Sequence, residues 1–216
     1  MYELVIFDLD GTLVDTIESI ALAGNKMLEA CGYTKREPYE YNYFAGDGHH
    51  ELIKRALYAA GDTEYSSYEK GVRLYEKYFE KDCTYNVKAY EGIMSLLLTL
   101  KKKGIKIAVL TNKAHNRAMN VLDTVFGKDF FDVVLGVHEG LEKKPNPEGA
   151  FYITRKLNID PKKCIYVGDT DVDMQTGHAA GMFTIGVLWG FRDREELEKY
   201  NPQAIISKPE EILDVL

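Results

Sequence analysis

The sequence predicts an α/β protein: a doubly wound parallel sheet with a small helical domain inserted after its first strand. Three observations predict it. Short apolar runs alternate with helix-like segments along most of the chain. Most of these runs are continuous rather than alternating, as expected for strands covered on both faces. Residues 16–87 depart from the alternation, showing helical periodicity and no convincing strand. The expected division is therefore a core of residues 1–15 and 88–216 and an insert of residues 16–87, which a chain of 216 residues can accommodate.

The first strand candidate is Leu4–Phe7, which runs into the acidic turn DLDGT. The others are Ile105–Leu110 before TNK, Phe131–Leu135, Cys164–Val167 before GDTD, Thr184–Leu188 before WG, and a short Ala204–Ile206. Between them, Glu91–Lys103 carries Ile93, Leu96, Leu97 and Leu100 at helical spacing and stops at Gly104, a C-terminal capping residue. Ala114–Phe126, Pro147–Leu157 and Asp171–Ala180 read as helices too. Within the insert, Thr16–Ala30, His50–Ala60 and Ser66–Glu80 each have an apolar face. Nine tyrosines fall between Tyr39 and Tyr85, and they are expected to pack there.

Composition excludes some functions. A net charge of −7 argues against nucleic acid or an anionic membrane surface as the main partner. It leaves an anionic substrate open, since a bound metal or a lysine can reverse the field locally. The apolar runs are far too short to span a bilayer. Three separated cysteines without a CxxC pair point to buried thiols in a reducing compartment. With no signal-like leader in MYELVIFDLDG, a cytoplasmic location is expected.

The acids carry the chemistry. Asp8 and Asp10 lie at the end of the first strand, two residues apart and so on one side of it, before Gly11 turns the chain. Asp169 and Asp173 follow the fourth strand candidate, at the start of a helix that favours negative charge. In a parallel sheet both groups fall at the carboxyl edge, where such folds bind ligands. Carboxylates clustered without His or Cys suit a hard cation, magnesium first. Thr111 and Lys144 add a hydroxyl and a fixed cation for phosphate oxygens. Together these groups outline a phosphoryl-transfer site.

FDLDGTLVDT, LTNK, KKPNPEG and GDTDVDMQTGHAAG, in that order, resemble the four motifs of the haloacid dehalogenase superfamily. The resemblance covers nearly the whole chain and implies a Rossmann-like core with a helical cap. FAGDGHHELI together with TNK is similar to the phosphoglycolate phosphatase branch. The resemblance implies a magnesium-dependent phosphatase acting on a small phosphorylated metabolite, as a monomer or homodimer. It makes Asp8 the nucleophile and a metal ligand. It makes Asp10 the acid and base, with its carbonyl on the metal. Thr111 and Asn112 would contact the transferring phosphate, Lys144 would neutralise charge, and Asp169 and Asp173 would complete the metal shell. Gly46, Asp47, Gly48 and His49 would contact substrate.

Each feature also has a plainer reading. Asp-rich turns commonly cap helices. Thr111 could cap the helix after it, and Lys144 lies in a charged run whose default is exposure. His49 and His50 read as surface residues at a helix start, and Trp189 as a core residue fixing the loop after the fifth strand. Pyrophosphatase, nucleotidase and phosphosugar mutase activities share much of the pattern. A signalling receiver domain fits poorly, because it needs no large insert and draws its phosphorylated aspartate from a different strand than its acidic pair. A non-catalytic phosphate-binding module is the reading from a third class.

Overall fold

The computed structural model describes residues 1–216, which divide into two compact units: Met1–Asp15 with Ala89–Leu216, and Thr16–Lys88. The chain begins with β1 (Leu4–Phe7) and β2 (Val14–Asp15). The second unit then holds α1 (Ile17–Cys31), α2 (Tyr41–Phe44), α3 (His49–Ala59) and α4 (Tyr68–Asp82). After β3 (Lys88–Ala89), which pairs with β2, the core resumes with α5 (Ile93–Lys102), β4 (Lys106–Ala114) and α6 (His115–Phe126). It continues with β5 (Val133–Val137), α7 (Glu148–Leu157), β6 (Cys164–Gly168) and α8 (Asp171–Ala179). β7 (Phe183–Val187), α9 (Arg194–Glu198) and β8 (Ala204–Ile206) complete it.

Six strands form one parallel sheet in the order β5-β4-β1-β6-β7-β8. The doubly wound parallel architecture is thus the one expected. Its strand sequences explain it: Leu4, Val5, Ile6 and Phe7 are all fully buried, so both faces of β1 need apolar side chains. Leu4, Ile6, Leu110, Val133, Leu135 and Tyr166 build one face of the core against Ala150 and Ile153 of α7. Burying each large aliphatic side chain contributes about 1.5–3 kcal/mol. From β1 the chain crosses to β4 and β5 on one side, then returns to β6 on the other. That reversal leaves a crevice between β1 and β6 at their carboxyl ends, where folds of this kind place ligands.

The second unit is helical throughout. α1 ends at Gly32, whose left-handed backbone lets its N–H bond Glu29 O and Leu28 O. The tyrosine expectation holds only in part: Tyr41 and Tyr75 are fully buried, while Tyr39, Tyr43, Tyr58, Tyr65 and Tyr85 are exposed. Their phenol groups keep one end wet, which long helical segments with one buried face permit. No helix is long and apolar enough to cross a membrane.

Candidate active site

β1 delivers Asp8 directly from its buried end, and Asp8 N donates to Val167 O of β6 at 2.9 Å, tying the two strand ends together. β6 delivers Asp169, and α8 delivers Asp173 in its first turn. One carboxylate oxygen from each of Asp8, Asp169 and Asp173 lies within 4.8 Å of the others, and all three residues are buried.

Each acid is held separately. Asp169 accepts from Thr12 Oγ1 at 2.7 Å and from Phe191 N at 2.8 Å. Asp173 Oδ2 accepts from Thr170 Oγ1 at 2.8 Å and Thr170 N at 3.1 Å, at the N-terminal turn of α8, where negative charge is favoured. Its Oδ1 accepts from Lys144 Nζ at 2.7 Å and Tyr166 Oη at 3.4 Å. Lys144 Nζ also stands 2.8 Å from Asp8 Oδ1, forming an ion pair. It lies off the hydrogen-bonding direction, and Asp8 Oδ1 is buried without a hydrogen-bond donor.

Backbone packing makes this density possible. Gly11 has φ +82°, and a Cβ there would overlap the Asp169 carboxylate. A Cβ at Gly190 would overlap Asp169 and Gly11 O. Trp189 Nε1 donates to Thr12 O at 2.9 Å, so the loop after β7 braces the loop after β1. Trp189 is half-buried rather than a core residue, but it fixes a loop, as expected, through a hydrogen bond that periodicity does not reveal.

Burial raises the Asp8 carboxyl well above the usual carboxylate range, with Lys144 opposing the shift and Asp173 and Asp169 adding to it. Burial, with Asp173 adding to it, takes Asp169 up to about 7. Burial alone would discharge Lys144, but Asp173 and Asp8 outweigh it and hold its ammonium well above the ordinary lysine value. Three buried carboxylates outnumber the two cations that act on them, Lys144 and, through Asp169, the buried Arg192, and leave negative charge in excess. With only oxygen donors and one buried carboxylate oxygen lacking a donor, the cluster fits a hard divalent cation.

Lys144 is buried, against the default exposure of its charged run. Its place is set by Asn112, whose side-chain amide donates to Lys144 O at 3.2 Å and accepts from Lys144 N at 2.9 Å. Thr111 Oγ1 accepts from Lys113 N at 3.2 Å. It does not cap α6, which starts after Ala114. Asp10 lies outside the three-carboxylate cluster, and its Oδ1 accepts from Lys113 Nζ at 2.5 Å. Gly46, Asp47, Gly48 and His49 belong to the helical unit. There Asp47 pairs with Arg55 at 2.5 Å, and His49 stands 3.3 Å from Glu76 and 4.3 Å, ring to ring, from His50. Sequence reasoning missed Thr12, Lys113, Thr170 and Tyr166. Thr12 had a local signal, a hydroxyl directly after the turn glycine, and so had Thr170, three residues before Asp173 in a capping-box pattern, whereas Lys113 and Tyr166 meet their partners through the fold.

The fold and site define a hydrolase class. Residues 5–187 match the haloacid dehalogenase-like hydrolase family, and the chain belongs to it. Phosphoglycolate phosphatase of Aquifex aeolicus is 32% identical over 213 residues, covering 99% of this chain and 96% of its own. That of Neisseria meningitidis is 33% identical, covering 99% of this chain and 93% of its own. The crystal structure of a predicted phosphoglycolate phosphatase from Haemophilus somnus superposes with a TM-score of 0.91 at 26% identity, covering 99% of this chain and 97% of that one. The chain is thus phosphoglycolate phosphatase-like along nearly its full length.

Proposed function

We propose that this hydrolase is a magnesium-dependent phosphatase that cleaves a small phosphate monoester, phosphoglycolate first, through an aspartyl phosphate on Asp8. The observation that carries the reading is the meeting of Asp8, Asp169 and Asp173 with Lys144 at the crevice beside β1. The similarity to phosphoglycolate phosphatases supports the substrate class.

In the first step Asp8 attacks phosphorus. The Asp8 O–P bond forms, the ester O–P bond breaks, and Asp10 gives a proton to the departing oxygen, which leaves as an alcohol. In the second step Asp10 takes a proton from water. That water attacks phosphorus, and the Asp8 O–P bond breaks to free phosphate. Lys144 offsets the repulsion between Asp8 and the incoming phosphate. Thr111 accepts a backbone N–H, so its hydroxyl hydrogen serves a phosphate oxygen. Asn112 works through the Lys144 backbone that it grips. Asp8, Asp169, Asp173 and the Asp10 carbonyl would hold magnesium, which when bound supplies positive charge against the phosphate oxygens.

A phosphate-release screen over small phosphorylated acids and sugars, with and without magnesium, tests the reading. Release from phosphoglycolate or a similarly small monoester, only with magnesium, is expected. No release from any compound would favour a non-catalytic phosphate-binding module.

A further inference from the structure

We infer that Lys113 is a positioning residue for proton delivery to the leaving group, acting through Asp10. The inference rests on the phosphatase reading above and assigns work to a side chain that reading does not use.

Lys113 is a lysine in an unusual place. Its side chain is 4% exposed, although a surface lysine normally keeps its ammonium in water. The ammonium donates to Asp10 Oδ1 at 2.5 Å, across 103 residues of sequence. The local backbone is built for this. β4 pairs regularly with β5 up to Leu110, then shifts register before Ala114, so the TNK segment departs from the regular ladder. β5 has Gly136 opposite the shift, where a Cβ would overlap Lys113 O and the His115 backbone. Lys113 N is pinned to Thr111 Oγ1, and Asn112 to Lys144. One irregular strand end therefore sets three side chains: Thr111 for phosphate, Asn112 for the Lys144 backbone, and Lys113 for Asp10.

The Asp10 side chain is 18% exposed, and Asp10 follows β1 at the turn that Gly11 makes. A carboxylate there has more than one rotamer open to it, and a short charge-assisted bond selects one. Held by Oδ1, Asp10 presents its carboxyl in a constant orientation to the oxygen that leaves phosphorus. Without Lys113, Asp10 remains but loses the contact that fixes its Oδ1, and proton transfer depends on placement.

The test compares two esters in one enzyme. 2-Phosphoglycolate has an alkoxide leaving group that needs a proton, whereas p-nitrophenyl phosphate has a phenolate that leaves without one. kcat/KM reports only steps up to leaving-group departure, so the later hydrolysis of the aspartyl phosphate does not enter. With saturating magnesium, Lys113→Met should lower kcat/KM for 2-phosphoglycolate about 100-fold and for p-nitrophenyl phosphate less than about 5-fold, the span expected of lost general-acid help. Lys113→Arg should recover most of the loss on phosphoglycolate. Equal losses on both esters would mean that Lys113 binds phosphate or supports the fold, and would overturn the inference. No loss on either would overturn it too. If the wild-type protein hydrolyses neither ester, the phosphatase reading itself fails. Wild-type turnover of both with equal losses in the variant sinks only the role of Lys113.

Discussion

Replacing Lys144 with methionine removes the cation that pairs with Asp8 and Asp173 while keeping the buried volume. Lys144 Nζ lies 2.7 Å from Asp173 Oδ1 and 2.8 Å from Asp8 Oδ1, with its side chain 2% exposed and theirs 0% and 9%. Removing one partner from a buried pair strands the other charge and costs about 3–5 kcal/mol. For a protein of this size each kcal/mol moves Tm by about 2–4 °C, so Lys144→Met should melt about 6–20 °C below wild type without metal. Added magnesium should recover part of the difference, because a bound cation supplies the missing positive charge. The assay is thermal unfolding followed by circular dichroism at pH 7.5, in chelator and then in excess magnesium. A metal-free difference below about 2 °C would refute the claim that these carboxylates depend on Lys144. So would a difference that magnesium leaves unchanged.

Further expectations concern the same cluster. Gly190→Ala places a methyl group on Asp169 and Gly11 O, and overpacking of this kind costs about 1–3 kcal/mol. The magnesium concentration for half-maximal activity should rise in that variant, and an unchanged requirement would contradict the packing account. The Asp169 carboxyl is raised to about 7 from an unfolded value near 3.8, so the metal-free fold binds its proton more tightly than the unfolded chain does. That contribution is fully present below about pH 4 and is lost as pH rises to about 7, up to roughly 4 kcal/mol. Magnesium bound at the cluster would replace the proton. The denaturant midpoint gap between magnesium and chelator should therefore widen from pH 5 to pH 8, and a constant gap would count against it.

Much of the core was legible because β strands covered on both faces leave continuous apolar runs, as at Leu4–Phe7 and Cys164–Gly168. Asp8, Asp169 and Asp173 were legible as acids at strand ends, since parallel strands bring their carboxyl ends to one edge. What escaped depends on contacts between distant segments. The strand candidate Ile105–Leu110 stops before TNK, but β4 runs on to Ala114, with a register shift opposite Gly136 between Leu110 and Ala114. Lys113 and Asp10 stand 103 residues apart, and no local pattern pairs them. Lys144 sits beside Lys143 in the sequence, where its place before Pro145 favours it, while the Asn112 amide and the Asp8 and Asp173 carboxylates that draw it inside come from distant segments.

Trapping the phosphorylated enzyme tests the central claim most directly. The protein would be mixed with a phosphate-labelled small monoester and magnesium, quenched in acid within a turnover, and digested for peptide mapping. The account predicts label on the Asp8 carboxylate, absent without magnesium and absent from Asp8→Asn. Label on another residue, or undiminished turnover by Asp8→Asn, would contradict it.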